Sequence, residues 1–166
     1  MRHIISILMQ NEAGALARVA AMFSSRGYNI ESLSVAPTED SQLSRLTLVT
    51  TGSDDVIEQI NKQLHKLVDV VNTADMTLDD HIERELLLIK VAAEESKQGV
   101  IENIIESFNV RVLDDRLDCY TLELTGITEQ VDDFIAKLAE NSEIMAVVRS
   151  GAMAISHGRT VLGSRF

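Results

Sequence analysis

Asn11 and Gly14, in the run Gln10-Asn11-Glu12-Ala13-Gly14-Ala15-Leu16, are the residues whose types and spacing offer the most chemistry. A glycine where an amphipathic helix begins has no Cβ to obstruct a ligand. The N–H groups of Gly14, Ala15 and Leu16 are expected as free first-turn donors, because no intrahelical acceptor reaches them. With the positive end of the helix dipole they would favour a small carboxylate. Asn11 adds an amide able to meet an amino group or a neighbouring loop. Asn-x-x-Gly is more often plain turn chemistry, and the residues alone leave both readings open. Asn29, after Arg26-Gly27-Tyr28, is either a further turn residue or part of a shared site. In the second case the edge strand starting there pairs with a second chain, and Asn29 and Ile30 of one subunit face the Gly14 loop of the other.

Other chemistry finds little support. His3, His65, His81 and His157 are scattered, with neither H-x-x-x-H nor H-E-x-x-H spacing, so no metal site is expected. Neither G-x-S-x-G nor G-x-x-x-x-G-K-[ST] occurs, and the eight glycines never form G-x-G-x-x-G. No catalytic residue and no cofactor box are expected in this chain. Asp54-Asp55, Asp114-Asp115 and Asp132-Asp133 are assigned to turns and helix starts. Cys119 is the single cysteine, which excludes an intrachain disulfide and suits a reducing cytoplasm; a buried structural thiol is expected.

The elements that must hold these residues repeat once. Ile4 to Met9 reads as a strand, and Leu16, Val19, Ala20 and Phe23 recur at helical spacing until Gly27. Ile30 to Ala36 and Leu43 to Thr50 form a hairpin around the turn 37–42. Asp54 or Asp55 caps a helix carrying Val56, Ile57, Ile60 and Leu64, and Leu67 to Val71 reads as a fourth strand. The order recurs after Thr77 to His81: a strand over Glu85 to Val91, a helix with Val100, Ile101, Ile104, Ile105 and Phe108, strands at Val110 to Leu113 and Tyr120 to Leu124, a helix with Val131, Phe134, Ile135 and Leu138, and a strand from Ile144 to Val148. The fold class expected is α+β, two ferredoxin-like β-α-β-β-α-β units with helices on one face of antiparallel sheets. Each takes roughly 70 to 80 residues, a size at which a core gains from mutual or oligomeric support. Ser156 to Phe166, with two glycines and two arginines, reads as a mobile or partner-ordered tail.

The 166 residues carry 15 Lys+Arg against 26 Asp+Glu, a net charge of −11, and the field repels nucleic acid and anionic lipid. Residues 1–80 hold six basic and 11 acidic groups and residues 81–166 hold nine and 15, so there is no charged arm. Met1 to Met9 lacks the apolar length and cleavage site of a signal peptide, and a mature, soluble chain is expected.

Asn11-Glu12-Ala13-Gly14-Ala15-Leu16 and Arg26-Gly27-Tyr28-Asn29-Ile30-Glu31-Ser32-Leu33 resemble the N-terminal ACT domain of bacterial acetolactate synthase (acetohydroxyacid synthase) small regulatory subunits. Ala36-Pro37-Thr38, Leu43-Ser44-Arg45-Leu46-Thr47 and Lys62-Gln63-Leu64-His65-Lys66-Leu67-Val68-Asp69-Val70 continue the resemblance in order. Glu83-Arg84-Glu85-Leu86 and Arg149-Ser150-Gly151 are similar to that family's C-terminal half. The resemblance spans the chain and is densest over residues 7–70.

It implies a non-catalytic, cytoplasmic subunit of branched-chain amino-acid biosynthesis. Such a subunit joins and stimulates a catalytic large subunit, in which thiamine diphosphate, Mg and FAD are expected, and confers feedback inhibition by valine. It further implies a homodimer through ACT domains, with valine held by Asn11, Gly14, Ala15 and Leu16 of one chain and Asn29 and Ile30 of the other. The expected domains are 1–76 (ACT), 77–82 (linker), 83–156 (C-terminal ferredoxin-like) and 157–166 (tail). The second copy reads Ala92-Ala93-Glu94-Glu95-Ser96-Lys97-Gln98-Gly99 at the equivalent loop, where two glutamates repel a carboxylate, so no amino-acid site is expected there. Arg149 and the tail are candidates for docking the catalytic subunit. An ACT-type sensor of another amino acid, such as leucine or isoleucine, is the alternative, since one methylene shifts affinity by only about 1–3 kcal/mol. Acylphosphatase-like catalysis on this fold needs an Arg in the anion loop; none lies between Asn11 and Leu16, and Arg18 is expected at the solvated edge of its helix.

Overall fold

The computed structural model describes residues 1–116 and 118–163, which form two compact units. The first unit contains β1 (Arg2–Gln10), α1 (Ala15–Ser25), β2 (Ser32–Pro37), β3 (Leu43–Thr51), α2 (Asp54–Leu64) and β4 (Val70–Asp75). Its antiparallel sheet has the order β2-β3-β1-β4. From His3 to Met9 every residue of β1 is buried, as a central strand covered on both faces requires. α1 buries Ala15, Val19, Met22 and Phe23, one stripe at helical spacing. It ends in a Schellman motif: Gly27 adopts φ 69°, its N–H donates to the Ser24 carbonyl, and the Tyr28 N–H donates to the Phe23 carbonyl. The rings of Phe23 and Tyr28 meet edge-on at 6.1 Å, supplying the apolar contact that accompanies this stop. α2 presents Ile57, Ile60 and Leu64, and both helices pack on Ile5, Ile7, Met9, Leu46 and Leu48. Ser53 takes the cap position, with Asp54 and Asp55 in the first turn.

β4 begins three residues later than the apolar run Leu67 to Val71 suggests. The N–H groups of Lys66 and Leu67 turn back to the carbonyls of Gln63 and Leu64, so 65–69 close the helix end while Leu67 still packs on the core. Nor is 77–82 simply a linker. The Met76 N–H donates to the Ile4 carbonyl, the Ile4 N–H donates to Thr77 Oγ1 at 2.8 Å, and the next strand already starts at His81.

The second unit, Glu83–Gly151, repeats the plan with β5 (His81–Ala92), α3 (Gln98–Ser107), β6 (Arg111–Asp114), β7 (Cys119–Gly126), α4 (Thr128–Asn141) and β8 (Ile144–Arg149). Its strand order is β6-β7-β5-β8. β5 alternates in burial, with Leu87, Ile89 and Val91 turned to the core beneath Ile101, Ile105, Val131, Phe134 and Leu138. The two sheets share a register detail: β1 shifts against β4 between Leu8 and Met9, and β5 shifts against β8 between Lys90 and Val91. Cys119 is half-buried rather than enclosed, its thiol donating to the Arg116 carbonyl. Asp132 and Asp133 lie within α4, not at its start; they pair with Arg149 and Lys137.

From Ala152 onward the chain belongs to the first unit, which corrects the 83–156 domain limit. Ala152 and Ala154, the latter on β9 (Met153–Ser156), are buried with Ile4, Val49 and Met76 on the sheet face that the helices leave bare. The described part of the expected tail is fastened as well: Arg45 donates to the Leu162 carbonyl and Asn72 to that of Gly163. The tail's remainder, Ser164 to Phe166, lies outside the described residues. Among the described residues no helix is long and apolar enough to cross a membrane.

Phe134 is fully buried on α4, its ring 5.2 Å from that of Phe108. Phe134→Ala should lower stability in urea unfolding by about 3–5 kcal/mol. A loss under about 1 kcal/mol would show that the second core closes over the gap.

Candidate functional site

Three hydrogen bonds fix the loop leaving β1. The Gln10 N–H donates to the Asp69 carbonyl at 2.8 Å, the Asn11 N–H to the Gln42 carbonyl at 2.7 Å, and the Asn11 side chain to the Ser41 carbonyl at 2.9 Å. Gly14 holds the N-cap position of α1 at φ 87°, ψ −10°, a left-handed conformation that explains glycine there. The first turn of α1 contains no acidic residue, whereas α2 opens with Asp54 and Asp55 and α4 with Glu129. Ala15 is fully buried and Leu16 is exposed beside it. Of the three donors expected to be free, the Ala15 N–H is engaged by the Glu12 carbonyl at 3.2 Å.

Arg18 is the residue that sequence reasoning missed. Placed one helical turn after Gly14, it swings its guanidinium over the loop: a Cβ built on Gly14 would lie 2.8 Å from Arg18 Nη1. Its Nε and Nη2 donate to the carboxylate of Asp69, with Nη2 to Oδ1 at 2.8 Å, and the Asp69 side chain is almost wholly enclosed. That hydrogen bond is the main reason that Asp69 is held below the usual carboxylate range and the Arg18 pKa is raised. Arg18 thus lies at the solvated edge of α1, as expected, and is held there at the mouth of the loop by the enclosed Asp69. The signal available was the i, i+4 spacing from Gly14.

Asn29 and Ile30 lie elsewhere in the chain. The Asn29 carbonyl accepts from Thr50 Oγ1 at 2.6 Å, and Ile30 packs on the helix-side core. Thr50 pairs with His3, whereas the loop of Asn11 leaves from the Gln10–Leu43 pair at the other end of the same ladder. Seven strand positions separate them, roughly 24 Å at about 3.4 Å per residue. One chain brings Asn11, Gly14, Ala15 and Leu16 together and sets Asn29 and Ile30 apart.

The equivalent loop of the second unit has no left-handed glycine before its helix. Lys97 caps α3 and pairs with Glu94 at 3.9 Å. Arg149, a candidate for docking, is bound within its own unit by Glu85 and Asp132. Among the described residues no group of three or more His, Cys, Asp or Glu comes together as metal ligands.

The first unit is a ferredoxin-like β-α-β-β-α-β unit whose first helix opens at a left-handed glycine beside Arg18, and its residues 5–72 match the family model described as AHAS small subunit-like ACT domain. Residues 84–158 match the model for the small subunit of acetolactate synthase. The chain is 44% identical to the acetolactate synthase isozyme 3 small subunit of Salmonella typhimurium, over 98% of this chain and 99% of that one. It is 45% identical to the acetolactate synthase small subunit of Haemophilus influenzae, over 95% and 97%. The crystal structure of the acetolactate synthase small subunit from Thermotoga maritima is similar with a TM-score of 0.85 at 34% identity, covering 96% of this chain and 99% of that one. The chain belongs to the acetolactate synthase small-subunit family.

Folding lowers the Asp69 pKa below its ordinary 3.8, so the Arg18 pair contributes fully above that value and fades as pH falls through the lowered one. The urea midpoint of the native chain should exceed that of Asp69→Asn at pH 7, and the gap should close on acidification below 3.8. A gap independent of pH would remove the pair as its source.

Proposed function

We propose that this chain is the non-catalytic regulatory subunit of acetolactate synthase, which joins and stimulates the catalytic large subunit and confers feedback inhibition by L-valine. Thiamine diphosphate, Mg and FAD belong to the catalytic partner in this reading, and the assembly is cytoplasmic. The observation that carries the ligand assignment is the corner at Gly14: an uncapped helix start with no acid in its first turn, roofed by the Arg18 guanidinium. Valine's carboxylate suits that corner, its ammonium suits the Asn11 side-chain oxygen or a main-chain carbonyl, and its isopropyl group suits an apolar interface.

The separation of Asn29 and Ile30 from this corner supports a site shared between two chains. β2 is an edge strand with its second half exposed. Antiparallel pairing of β2 with its copy sets the start of one β2, just after Asn29 and Ile30, against the end of the other. That end pairs with Ser44, next to the loop that holds Asn11 through Ser41 and Gln42. Asn11, Gly14, Ala15 and Leu16 of one chain then join Asn29 and Ile30 of its partner. Valine inhibits by binding one arrangement of this dimer better than another, which uncouples the catalytic subunit from its activator. Such coupling typically amounts to about 1–3 kcal/mol.

Gly14→Asp adds a carboxylate that pairs with Arg18 where the ligand's carboxylate belongs. The reconstituted enzyme should keep its stimulation by the variant and lose valine inhibition, and calorimetry should show saturable valine binding to the native chain only. Unchanged inhibition would remove the site assignment; calorimetric preference for leucine or isoleucine would reassign the effector.

A further inference from the structure

Resting on the effector reading above, we propose that Arg18 is itself a residue of that site: its Nη1 donates to the free α-carboxylate of the ligand, and Asp69 is the positioning residue that aims it. A guanidinium carries N–H donors on both of its edges. Arg18 spends Nε and Nη2 on the Asp69 carboxylate, and Nη2 also approaches the Ala13 carbonyl at 3.5 Å. Among the described residues Nη1 has no hydrogen-bond partner. It lies over Gly14, 2.8 Å from where a Cβ would stand. The edge that meets Asp69 is turned to a side chain only 6% exposed, whereas the Arg18 side chain as a whole is 47% exposed, so the edge carrying Nη1 opens to solvent. Asp69 and the neighbouring Glu12 offset the charge of Arg18, and what Nη1 supplies is directed donors more than net charge. A carboxylate that meets Nη1 with one oxygen has the first-turn N–H groups of α1 for the other. An amide has a single oxygen and turns an N–H toward the second donor.

The second unit shows that the fold does not require this pair. The register of the two sheets aligns Met9 and Val70 with Val91 and Ile144, and therefore Gln10 and Asp69 with Ala92 and Glu143. The backbone contact at this place recurs: the Gln10 N–H donates to the Asp69 carbonyl at 2.8 Å, and the Ala92 N–H to the Glu143 carbonyl at 2.9 Å. The buried stripes Val19, Phe23 and Ile101, Ile105 align Arg18 with Val100. An acid is kept at the strand entry, but Glu143 is exposed, and Val100, itself exposed, stands in place of the arginine. The strand-end contact therefore forms equally well without a guanidinium beside it. What Arg18 adds in the first unit is a donor held over the left-handed glycine that opens α1.

The full-length chain would be titrated calorimetrically with L-valine and with L-valinamide, in native form and as the double variant Arg18→Gln with Asp69→Asn, which removes both charges together. The variant should fold normally by circular dichroism and bind valine about tenfold more weakly or worse, the scale of a hydrogen bond to a charged group. Its affinity for valinamide should change little, so the native preference for the carboxylate collapses. Arg18→Lys, which keeps a cation able to pair with Asp69 but has no second donor edge, should show the same collapse. Asp69→Asn alone should lose part of the preference, because Nη1 remains but is no longer aimed. An equal loss of valine and valinamide would mark a merely structural role; that result, or undiminished valine binding by the folded variants, would overturn the proposal and leave the effector reading standing. A full preference in Asp69→Asn would overturn the positioning role. Failure of the native chain to bind valine would remove this proposal and the effector reading together.

Discussion

Burial of β1 on both faces is the constraint on which the first unit depends. A β-α-β-β-α-β chain has two helices, and both cross over on the same side of the sheet. Those helices satisfy Ile5, Ile7 and Met9. They leave Ile4 and its neighbour Val49 with nothing above them, and exposed apolar area of this kind costs about 25 cal/mol per Å². Met76, Ala152 and Ala154 close that face. The chain's return from the second unit is therefore part of the first unit's core, and small alanines suit the close approach. The hydrogen bonds of Arg45 and Asn72 to the carbonyls of Leu162 and Gly163 hold the segment after it.

With both faces of the first unit's sheet covered, what remains accessible there is its rim, and at their rims the two units differ. Their apolar stripes superimpose almost position by position, because the same helix–sheet packing is needed twice. Polar residues at helix starts and strand ends carry no such obligation. The first unit places a glycine and an arginine at the start of α1 where the second places Lys97 and two nearby glutamates. At the start of the other helix, the first places His3 and Asp75 where the second closes an Arg149–Glu85–Asp132 cluster. A common core thus leaves the rims of the two repeats free to differ.

Much of this was legible because it is local. The α1 stripe, its stop at Gly27 and the glycine at its start each follow from spacing within a dozen residues, and the repeated element order follows from two runs of the same pattern. What escaped the sequence was nonlocal. Arg18 and Asp69 are 51 positions apart, and neither residue type alone announces its partner. Leu67-Val68-Asp69-Val70-Val71 has strand composition, yet half of it closes a helix, because Leu67 reaches the core from a turn. Ala152 and Ala154 are too small to mark a core segment by hydropathy. Their role follows only from the uncovered face of β1, which the apolar run of Ile4, Ile5, Ile7, Leu8 and Met9, interrupted only by Ser6, signals indirectly.

The split of the candidate effector residues has a consequence for regulation. A pocket completed inside one chain would report ligand binding to that chain alone, and transmission would then need a separate conformational relay. Here the Gly14 corner and the Asn29 segment stand at opposite ends of the β1–β3 ladder, so an effector touching both is sensitive to how two chains are joined. Under the proposed shared site, its binding energy would act on the association and alignment of two chains. The Arg18–Asp69 pair gives that arrangement stiffness: it ties the first turn of α1 to the entry of β4, so a carboxylate docking at Gly14 meets a fixed corner, and its interaction energy is not spent ordering a loop.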